Sequence, residues 1–342
     1  MRTRRWPPTV LAVLALCAVA GCARPAAPAT PAAVPGPLRG ALLATDPARG
    51  DVLAYLPGRT VWEWTGARWL RRLPATVPPA RDNAVLVADP ATRRVLLIGG
   101  AAPVPAPSTS PGTDGHAGVG TARPSRFRVD AWSFHGDDWH RVTGYAAQVS
   151  GHAGYDRTRR AVVLVGTVSA TTSTTTFRPT APATWEWTGD AWRRLGDAPP
   201  DQITGLGYDP ATGQTLALAA QDPFTPGPGM GAPSRIGFAH LWRLDGRTWR
   251  QDTSPNIPPA GATLAQDPVT GAALLISHTG ATFEYRDRTW TRLRPHHELP
   301  AHREATTQAA ASRSRTLLLV SDAHGDRAWA WNGHDWRPAG IP

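Results

Sequence analysis

Lysine is absent from all 342 residues, and every basic side chain is arginine. That excludes Schiff-base chemistry and every other lysine nucleophile. Cysteine is nearly absent. The two present, Cys17 and Cys22, both lie near the N-terminus. The rest of the chain therefore has no disulfide, and its stability must come from packing. No apolar run reaches the length of about 20 residues that a membrane-spanning helix needs. There is no G-x-S-x-G, no phosphate-binding loop and no zinc signature. No cofactor and no metal are expected.

Charge of one sign is in modest excess. The formal net charge is +10, and removing residues 1–21 deletes three arginines and no acids, which leaves +7. Nucleic-acid binding would need that charge gathered on one face. Instead arginine recurs at a fixed place in a repeat, at Arg71, Arg141, Arg194, Arg250, Arg292 and Arg337. Repetition spreads these charges around the molecule, so no nucleic-acid partner is expected.

What the chain has in abundance is tryptophan. The pattern W-x-W-x-G-x-x-W, or a close aromatic variant, occurs six times: Trp62/Trp64/Gly66/Trp69, Trp132/Phe134/Gly136/Trp139, Trp185/Trp187/Gly189/Trp192, Trp242/Leu244/Gly246/Trp249, Phe283/Tyr285/Asp287/Trp290 and Trp329/Trp331/Gly333/Trp336. Fourteen of the fifteen tryptophans sit in it, Trp6 being the exception. A fixed period of this length marks a repeat architecture.

The fifth copy shows the unit most plainly. Gly261 to Ala265 reads as a strand of small residues, Asp267-Pro-Val-Thr-Gly271 as a turn, and Ala272 to Ser277 as a second, apolar strand. In the turn, Pro fixes φ and Gly takes the left-handed conformation. A third strand, Ala281 to Tyr285, and a fourth, Thr289 to Arg294, follow. The Asp-initiated turn recurs at Asp46, Asp89, Asp156 and Asp209, and weakens to Ser312-Arg313-Ser314 in the sixth copy. Asp245-Gly246 and Asn332-Gly333 are strong hairpin signals. Small residues in the first strand, as in Gly205-Leu-Gly207 and Ala309 to Ala311, suit an innermost strand where sheets converge. Large aromatics in the third and fourth strands suit the outside, where sheets splay. The expected fold is all-β: a six-bladed β-propeller of four-stranded antiparallel blades over residues 38–342. A surface solenoid is the competing repeat architecture.

Leu96-Leu-Ile-Gly-Gly100, followed by Asp130-Ala-Trp132 and Trp139, resembles a kelch repeat, with diglycine after strand two, an aromatic in strand three and Trp in strand four. At the level of pattern, residues 38–342 resemble the kelch-type propellers related to the central domain of galactose oxidase. Only the second copy carries the diglycine. The oxidase's copper centre needs a cysteine cross-linked to a tyrosine, and the chain offers none in the blades. The Asp-box of sialidase-like propellers is matched only out of register, by Ser321 to Gly325.

The N-terminus reads as an address. Arg2, Arg4 and Arg5 precede an apolar stretch, Thr9 to Ala20, that ends in Val19-Ala20-Gly21-Cys22. This is the order of an export signal, and its end resembles the lipobox of bacterial lipoproteins. The resemblance implies that residues 1–21 are removed and that Cys22 is lipidated, anchoring the chain to the outer leaflet of the cell membrane. Arg4-Arg5 leaves the export route open between the general and twin-arginine pathways. Residues 22–37 are nearly all Ala, Pro and Gly and read as an extended tether, which at about 3.1 Å per residue spans roughly 50 Å.

Strand alternation puts loops 1–2 and 3–4 of every blade on one face and loops 2–3 and 4–1 on the other. Three 2–3 loops in consecutive blades are expanded: about Ala101 to Arg128, Thr167 to Pro182 and Ala220 to Ala239. Long loops in a compact domain commonly carry function, and these read as a recognition surface. Arg123, Arg126, Phe127, Arg128, Phe177, Arg178, Phe224 and Arg235 supply charge and ring faces suited to acidic or sugar-like groups. The loop after blade five adds His296, His297 and His302, whose spacing matches no metal motif. Glu63, Glu186 and Glu284 share one repeat position, so they fall in different blades and do not face one another as a catalytic pair would. The resulting expectation is a non-catalytic, lipid-anchored extracytoplasmic propeller that binds a protein or carbohydrate of the cell envelope. A carbohydrate-active lyase or hydrolase and a structural envelope subunit are the alternatives.

Overall fold

The computed structural model describes residues 38, 40–56, 61–102, 126–170, 173–175, 180–220, 239–253, 258, 262–302, 306–323 and 325–340. It contains six four-stranded antiparallel sheets in chain order. Blade one is β1 (Leu42–Thr45), β2 (Val52–Tyr55), β3 (Val61–Trp64) and β4 (Trp69–Arg72). Blade two is β5 (Val85–Asp89), β6 (Arg94–Ile98), β7 (Ala131–His135) and β8 (Asp138–Arg141). Blade three is β9 (Ala147–Asp156), β10 (Ala161–Ala170), β11 (Ala183–Trp187) and β12 (Trp192–Asp197). Blade four is β13 (Gln202–Asp209), β14 (Gln214–Ala220), β15 (Ala239–Asp245) and β16 (Thr248–Asp252). Blade five is β17 (Ala262–Gln266), β18 (Ala273–Ser277), β19 (Thr282–Arg286) and β20 (Thr289–Arg292). Blade six is β21 (Thr306–Ala311), β22 (Thr316–Asp322), β23 (Gly325–Trp331) and β24 (Trp336–Pro338). The innermost strands β1, β5, β9, β13, β17 and β21 each touch the next, and β21 touches β1, so the ring is a closed six-bladed propeller.

Ring closure needs no exchanged strand, because blades one and six are each complete within their own segments. Among the described residues, three hydrogen bonds join them. Thr45 Oγ1 donates to the Ala311 carbonyl at 2.6 Å, Trp69 Nε1 to the Ala339 carbonyl at 3.2 Å, and the Arg313 amide to the Gly50 carbonyl at 2.7 Å. Between them lies a core that takes Leu43, Val52 and Trp64 from blade one and Leu317 and Leu319 from blade six.

The Asp-initiated turn works the same way in each blade. Asp46, Asp89, Asp156, Asp209 and Asp267 are all buried, at 1–4% exposure. Each carboxylate accepts from a backbone amide two or three residues on: Ala48, Ala91, Arg159, Ala211 and Val269. In blade six the Ser312 hydroxyl takes the same place, accepting from the amide of Arg315 at 3.0 Å. Local side-chain acceptance of this kind pins a turn without any tertiary contact. The left-handed position at the turn's end is Gly50, Gly213 and Gly271 in three blades, whereas Arg93 and Arg160 adopt it at φ 57° and 56°.

The aromatic motif forms the seams between blades. Trp64, Trp139, Trp290, Trp331 and Trp336 are each no more than 2% exposed, and none of the fourteen motif tryptophans is exposed. Within a blade the strand-three and strand-four rings meet at a tilt: Phe134 and Trp139 at 5.2 Å, Trp187 and Trp192 at 5.3 Å, Tyr285 and Trp290 at 4.9 Å, Trp331 and Trp336 at 5.4 Å. The intervening glycines Gly66, Gly136, Gly189, Gly246 and Gly333 all have positive φ, and Asp287 takes that conformation in blade five at 50°.

The strand-four indole also reaches the preceding blade. Trp249 Nε1 donates to Thr184 Oγ1 at 2.7 Å, and Trp336 Nε1 to Thr282 Oγ1 at 2.9 Å. Thr184 and Thr282 both stand just before the first aromatic of the motif. In blades one and four that position is Val61 and Leu241, and the facing indoles of Trp139 and Trp290 have no hydrogen-bond acceptor among the described residues. A buried unsatisfied donor costs about 1–3 kcal/mol. Val61→Thr should therefore stabilise the protein by up to about 1 kcal/mol, against the usual cost of burying a hydroxyl. Denaturant titration would show it, and a loss of stability would mean that the hydroxyl does not meet Trp139.

The outermost strands are short, and their edges carry exposed arginines: Arg71, Arg141, Arg194, Arg250, Arg292 and Arg337. Charge along a free edge opposes pairing with another sheet, which gives the recurrent arginine a physical purpose around the rim.

Candidate functional site

The 1–2 and 3–4 turns are short throughout, and the expanded connections all lie on the opposite face. Of the three expanded loops only the bases fall within the described residues. Arg123, Phe177, Arg178, Phe224 and Arg235 lie outside them, as does Cys22. The second loop begins later than the sequence pattern suggests, because β10 continues to Ala170 and pairs with β9 as far as Ala147. Thr167 to Ala170 are strand, not loop. The cause is close approach at Gly151 and Gly166: a Cβ on Gly166 would lie 2.1 Å from the Ser150 carbonyl oxygen, so only glycine lets the two strands continue.

The base of the first loop is a short ladder. Ala101 bridges both Asp82 and Phe127, the Ala102 amide donates to the Arg126 carbonyl at 2.7 Å, and the Arg128 amide to the Gly100 carbonyl at 2.8 Å. The diglycine makes this possible. A Cβ at Gly99 would sit 2.5 Å from the Val149 carbonyl oxygen, and one at Gly100 2.6 Å from that of Asp82. The Phe127 amide then donates to the Thr174 carbonyl at 2.7 Å, and Gln148 Nε2 to the Ser173 carbonyl at 3.1 Å. The first and second expanded loops thus leave the body side by side. Arg126 is exposed and Phe127 half-buried, while the Arg128 side chain turns inward to donate to the Ala80 carbonyl at 3.0 Å.

Sequence pattern gave no hint of the residue that anchors this region. Arg81 is fully buried in the 4–1 connection before blade two. Its guanidinium binds both Asp130 oxygens, at 3.0 and 3.1 Å, and donates to the carbonyls of Gly99 and Pro79, both at 3.2 Å. Trp132 Nε1 donates to the same carboxylate at 2.7 Å. Burial pushes the Asp130 carboxyl up, but Arg81 and the indole more than offset this and hold it below the usual carboxylate range. Arg81 lies outside the repeat, so no periodicity could flag it. Together with Asp82, Asn83, Gln308 and Ser321 it lines a cavity of about 360 Å³ between blades six, one and two.

The three histidines of the loop after blade five do not converge. His296 is exposed. The His297 amide and Nδ1 meet the Asp335 carboxylate at 2.8 and 2.7 Å. Desolvation raises the Asp335 carboxyl, but His297 and then Arg337 together outweigh it and bring it down to about 2. His302 is buried, with Nδ1 on the Pro300 carbonyl at 2.9 Å, and burial lowers its pKa. His297 and His302 tie loop to body. Among the described residues no group of three or more His, Cys, Asp or Glu side chains is placed to hold a metal.

The recurrent glutamates are tied up as well. Glu63, 1% exposed, pairs with Arg72 and with Arg49 at 3.8 Å; Glu186 pairs with Arg193; Glu284 pairs with Arg286 at 2.9 Å. At the axis, Asp267 alone among the described residues puts a carboxylate into the lining. Its oxygens are taken by the amides of Val269 and Thr270 and by the Trp331 indole. These four carboxylates are therefore held by arginines, amides and an indole, and do not form a facing pair.

No family model and no curated protein matches the chain. Several solved structures share its course at low identity. A structure of YCF48 bound to D1 peptide is 10% identical over 89% of this chain and 82% of that one, with a TM-score of 0.41. The crystal structure of a nidogen/laminin complex is 11% identical over 85% of this chain and 88% of that one, with a TM-score of 0.44. SapL1 lectin in complex with alpha methyl fucoside is 11% identical over 87% of this chain and 94% of that one, with a TM-score of 0.48. At these scores none of them carries a functional argument to this chain.

Proposed function

We propose that the protein is a non-catalytic, lipid-anchored binding propeller of the kelch type, held outside the cell by Cys22 and recognising a protein or glycan through its 2–3/4–1 face. The observation that carries this reading is the joint base of the first two expanded loops, where Phe127 and Gln148 hydrogen-bond to Thr174 and Ser173. Two neighbouring loops are rooted together on this face, and rigid roots suit recognition.

The ladder sets where a deletion can be made. Replacing residues 103–125 with a short Gly-Ser link spares Ala101, Ala102 and Arg126. Expected results are loss of capture of the envelope partner by the full chain from solubilised membranes, and a melt within a few degrees of wild type. Capture that survives the deletion would move the site elsewhere. In the same preparation Cys22→Ser should shift the chain from the membrane to the soluble fraction, since a lipid anchor holds by its buried acyl chains.

A further inference from the structure

On the face of the short turns, opposite the expanded loops, the ring axis opens into a cavity of about 590 Å³. That lies within the roughly 300–1,000 Å³ typical of small-molecule sites. Its wall is the last few residues of the six innermost strands. The residues just before the turn form the mouth: Thr45, Ala88, Tyr155, Tyr208, Gln266 and Ala311. Two residues deeper, the wall is Leu43, Leu86, Ala153, Leu206, Leu264 and Ala309. The funnel is apolar within and polar at its lip.

Two arginines stand over it. Arg157 of blade three passes over the Tyr208 ring of blade four, its Cζ 5.8 Å from the centroid, and donates to Gln266 Oε1 of blade five at 2.9 Å. Arg313 of blade six lies across Gly50 of blade one, where a Cβ would fall 2.2 Å from its Cγ. Only glycine there, at φ 74°, admits that side chain. Both arginines are exposed, and neither forms an ion pair among the described residues. The one lining carboxylate, Asp267, is buried and fully hydrogen-bonded. The lip therefore carries two exposed guanidinium groups without ion-pair partners among the described residues, above an apolar bed.

We propose that this funnel binds a small organic anion, with its carboxylate against a lip guanidinium, that of Arg157 or Arg313, and its aliphatic or aromatic body against the leucines and tyrosine rings. Guanidinium groups bind carboxylates through paired, charge-assisted hydrogen bonds. The test is calorimetric titration of the full chain in neutral detergent with 4-phenylbutyrate and with its neutral amide, 4-phenylbutyramide. Titration of each ligand into protein-free micelles measures its own partition, and affinities are compared at the corrected free concentrations. Expected are one saturable site per chain for the acid, affinity for the amide at least tenfold weaker, and an R157Q/R313Q variant that loses at least tenfold for the acid alone. R157K/R313K should bind the acid more weakly than wild type and more tightly than R157Q/R313Q, because an ammonium keeps the charge but not the paired geometry. Absence of saturable binding, equal affinity for acid and amide, or an arginine variant that binds the acid as wild type does would overturn the proposal. The comparison of acid with amide decides on the wild-type protein even where a variant fails to fold.

Discussion

Trp331→Ala is expected to lower the unfolding free energy by about 3–5 kcal/mol. The ring is 1% exposed and packs in the seam between blades five and six, among Leu274, Ile276, Leu318 and Trp336. Truncation leaves a cavity on both sides of that seam, and neighbouring sheets cannot collapse into it without narrowing the ring. A second cost adds to the first. Trp331 Nε1 donates to Asp267 Oδ2 at 2.8 Å, so its loss strips a donor from a carboxylate that is itself 1% exposed. Trp331→Phe separates the two effects. It keeps much of the apolar volume but removes the donor, and should cost about 2 kcal/mol. Urea titration followed by tryptophan fluorescence and by circular dichroism would measure both variants, with coincident transitions as the check on two-state behaviour. A loss below about 1 kcal/mol for alanine would show that the indoles do not hold the blades together.

The same seam shows how much of the fold could be read in advance and why. Blade count, the innermost position of the small-residue strand and the four-strand unit all follow from features that repeat: Asp at the first turn, glycine at the second, an aromatic pair two residues apart. Each has a local cause, such as a carboxylate accepting amides or a residue at positive φ, so each is visible in a short window. In the fifth copy the expected strands fall within two residues of the observed ones. Which indoles find an acceptor was not legible, because that depends on whether the preceding blade offers Thr184 or Thr282 rather than Val61 or Leu241. Those pairings span dozens of residues.

The candidate site was legible in its location and not in its detail. The expanded loops announce themselves by length, yet where the second begins turned on Gly151 and Gly166, whose effect is tertiary. The Gly99-Gly100 pair resembles the kelch diglycine in sequence, and the structure gives it a physical role as the point where blade two passes close to Val149 and Asp82. Arg128, His297 and His302 carry the chemistry of ligand-binding residues but spend it on Ala80, Asp335 and Pro300. Residue type alone cannot distinguish a side chain that offers its charge to a partner from one that closes a loop. Arg81 reverses the case, being an arginine in a linker outside the repeated motif that is fully buried.

Arg81→Met should cost about 3–5 kcal/mol at neutral pH, because it leaves the Asp130 carboxylate without its cation in a largely buried place. The second substitution matters more than the first. R81M/D130N removes both charges, keeps an acceptor for the Trp132 indole, and should recover most of the loss, since a buried pair contributes little net stability beyond what its isolated members cost. The pH dependence follows from the direction of the Asp130 shift. In the native protein its folded pKa lies below the ordinary value of about 3.9, so its contribution is complete above that pH and is lost as pH falls through the folded pKa. In Arg81→Met burial is opposed only by the Trp132 indole and the backbone, so the folded pKa rises, ionisation at neutral pH costs stability relative to wild type, and protonation relieves that cost. The gap between wild type and Arg81→Met should therefore be widest near pH 7 and narrow as pH drops from about 5 toward 3. Equilibrium denaturation of both proteins and the double variant across that range would show it. A gap that does not change with pH would mean that the loss comes from packing of the long side chain, with the ion pair contributing nothing. Because Arg81 also holds the carbonyls of Gly99 and Pro79, the single variant should loosen the ladder at Ala101 and Phe127 before the blades open. Faster hydrogen exchange at the amides of Ala101, Ala102 and Phe127 than in the blade strands would locate that loosening at the root of the first expanded loop.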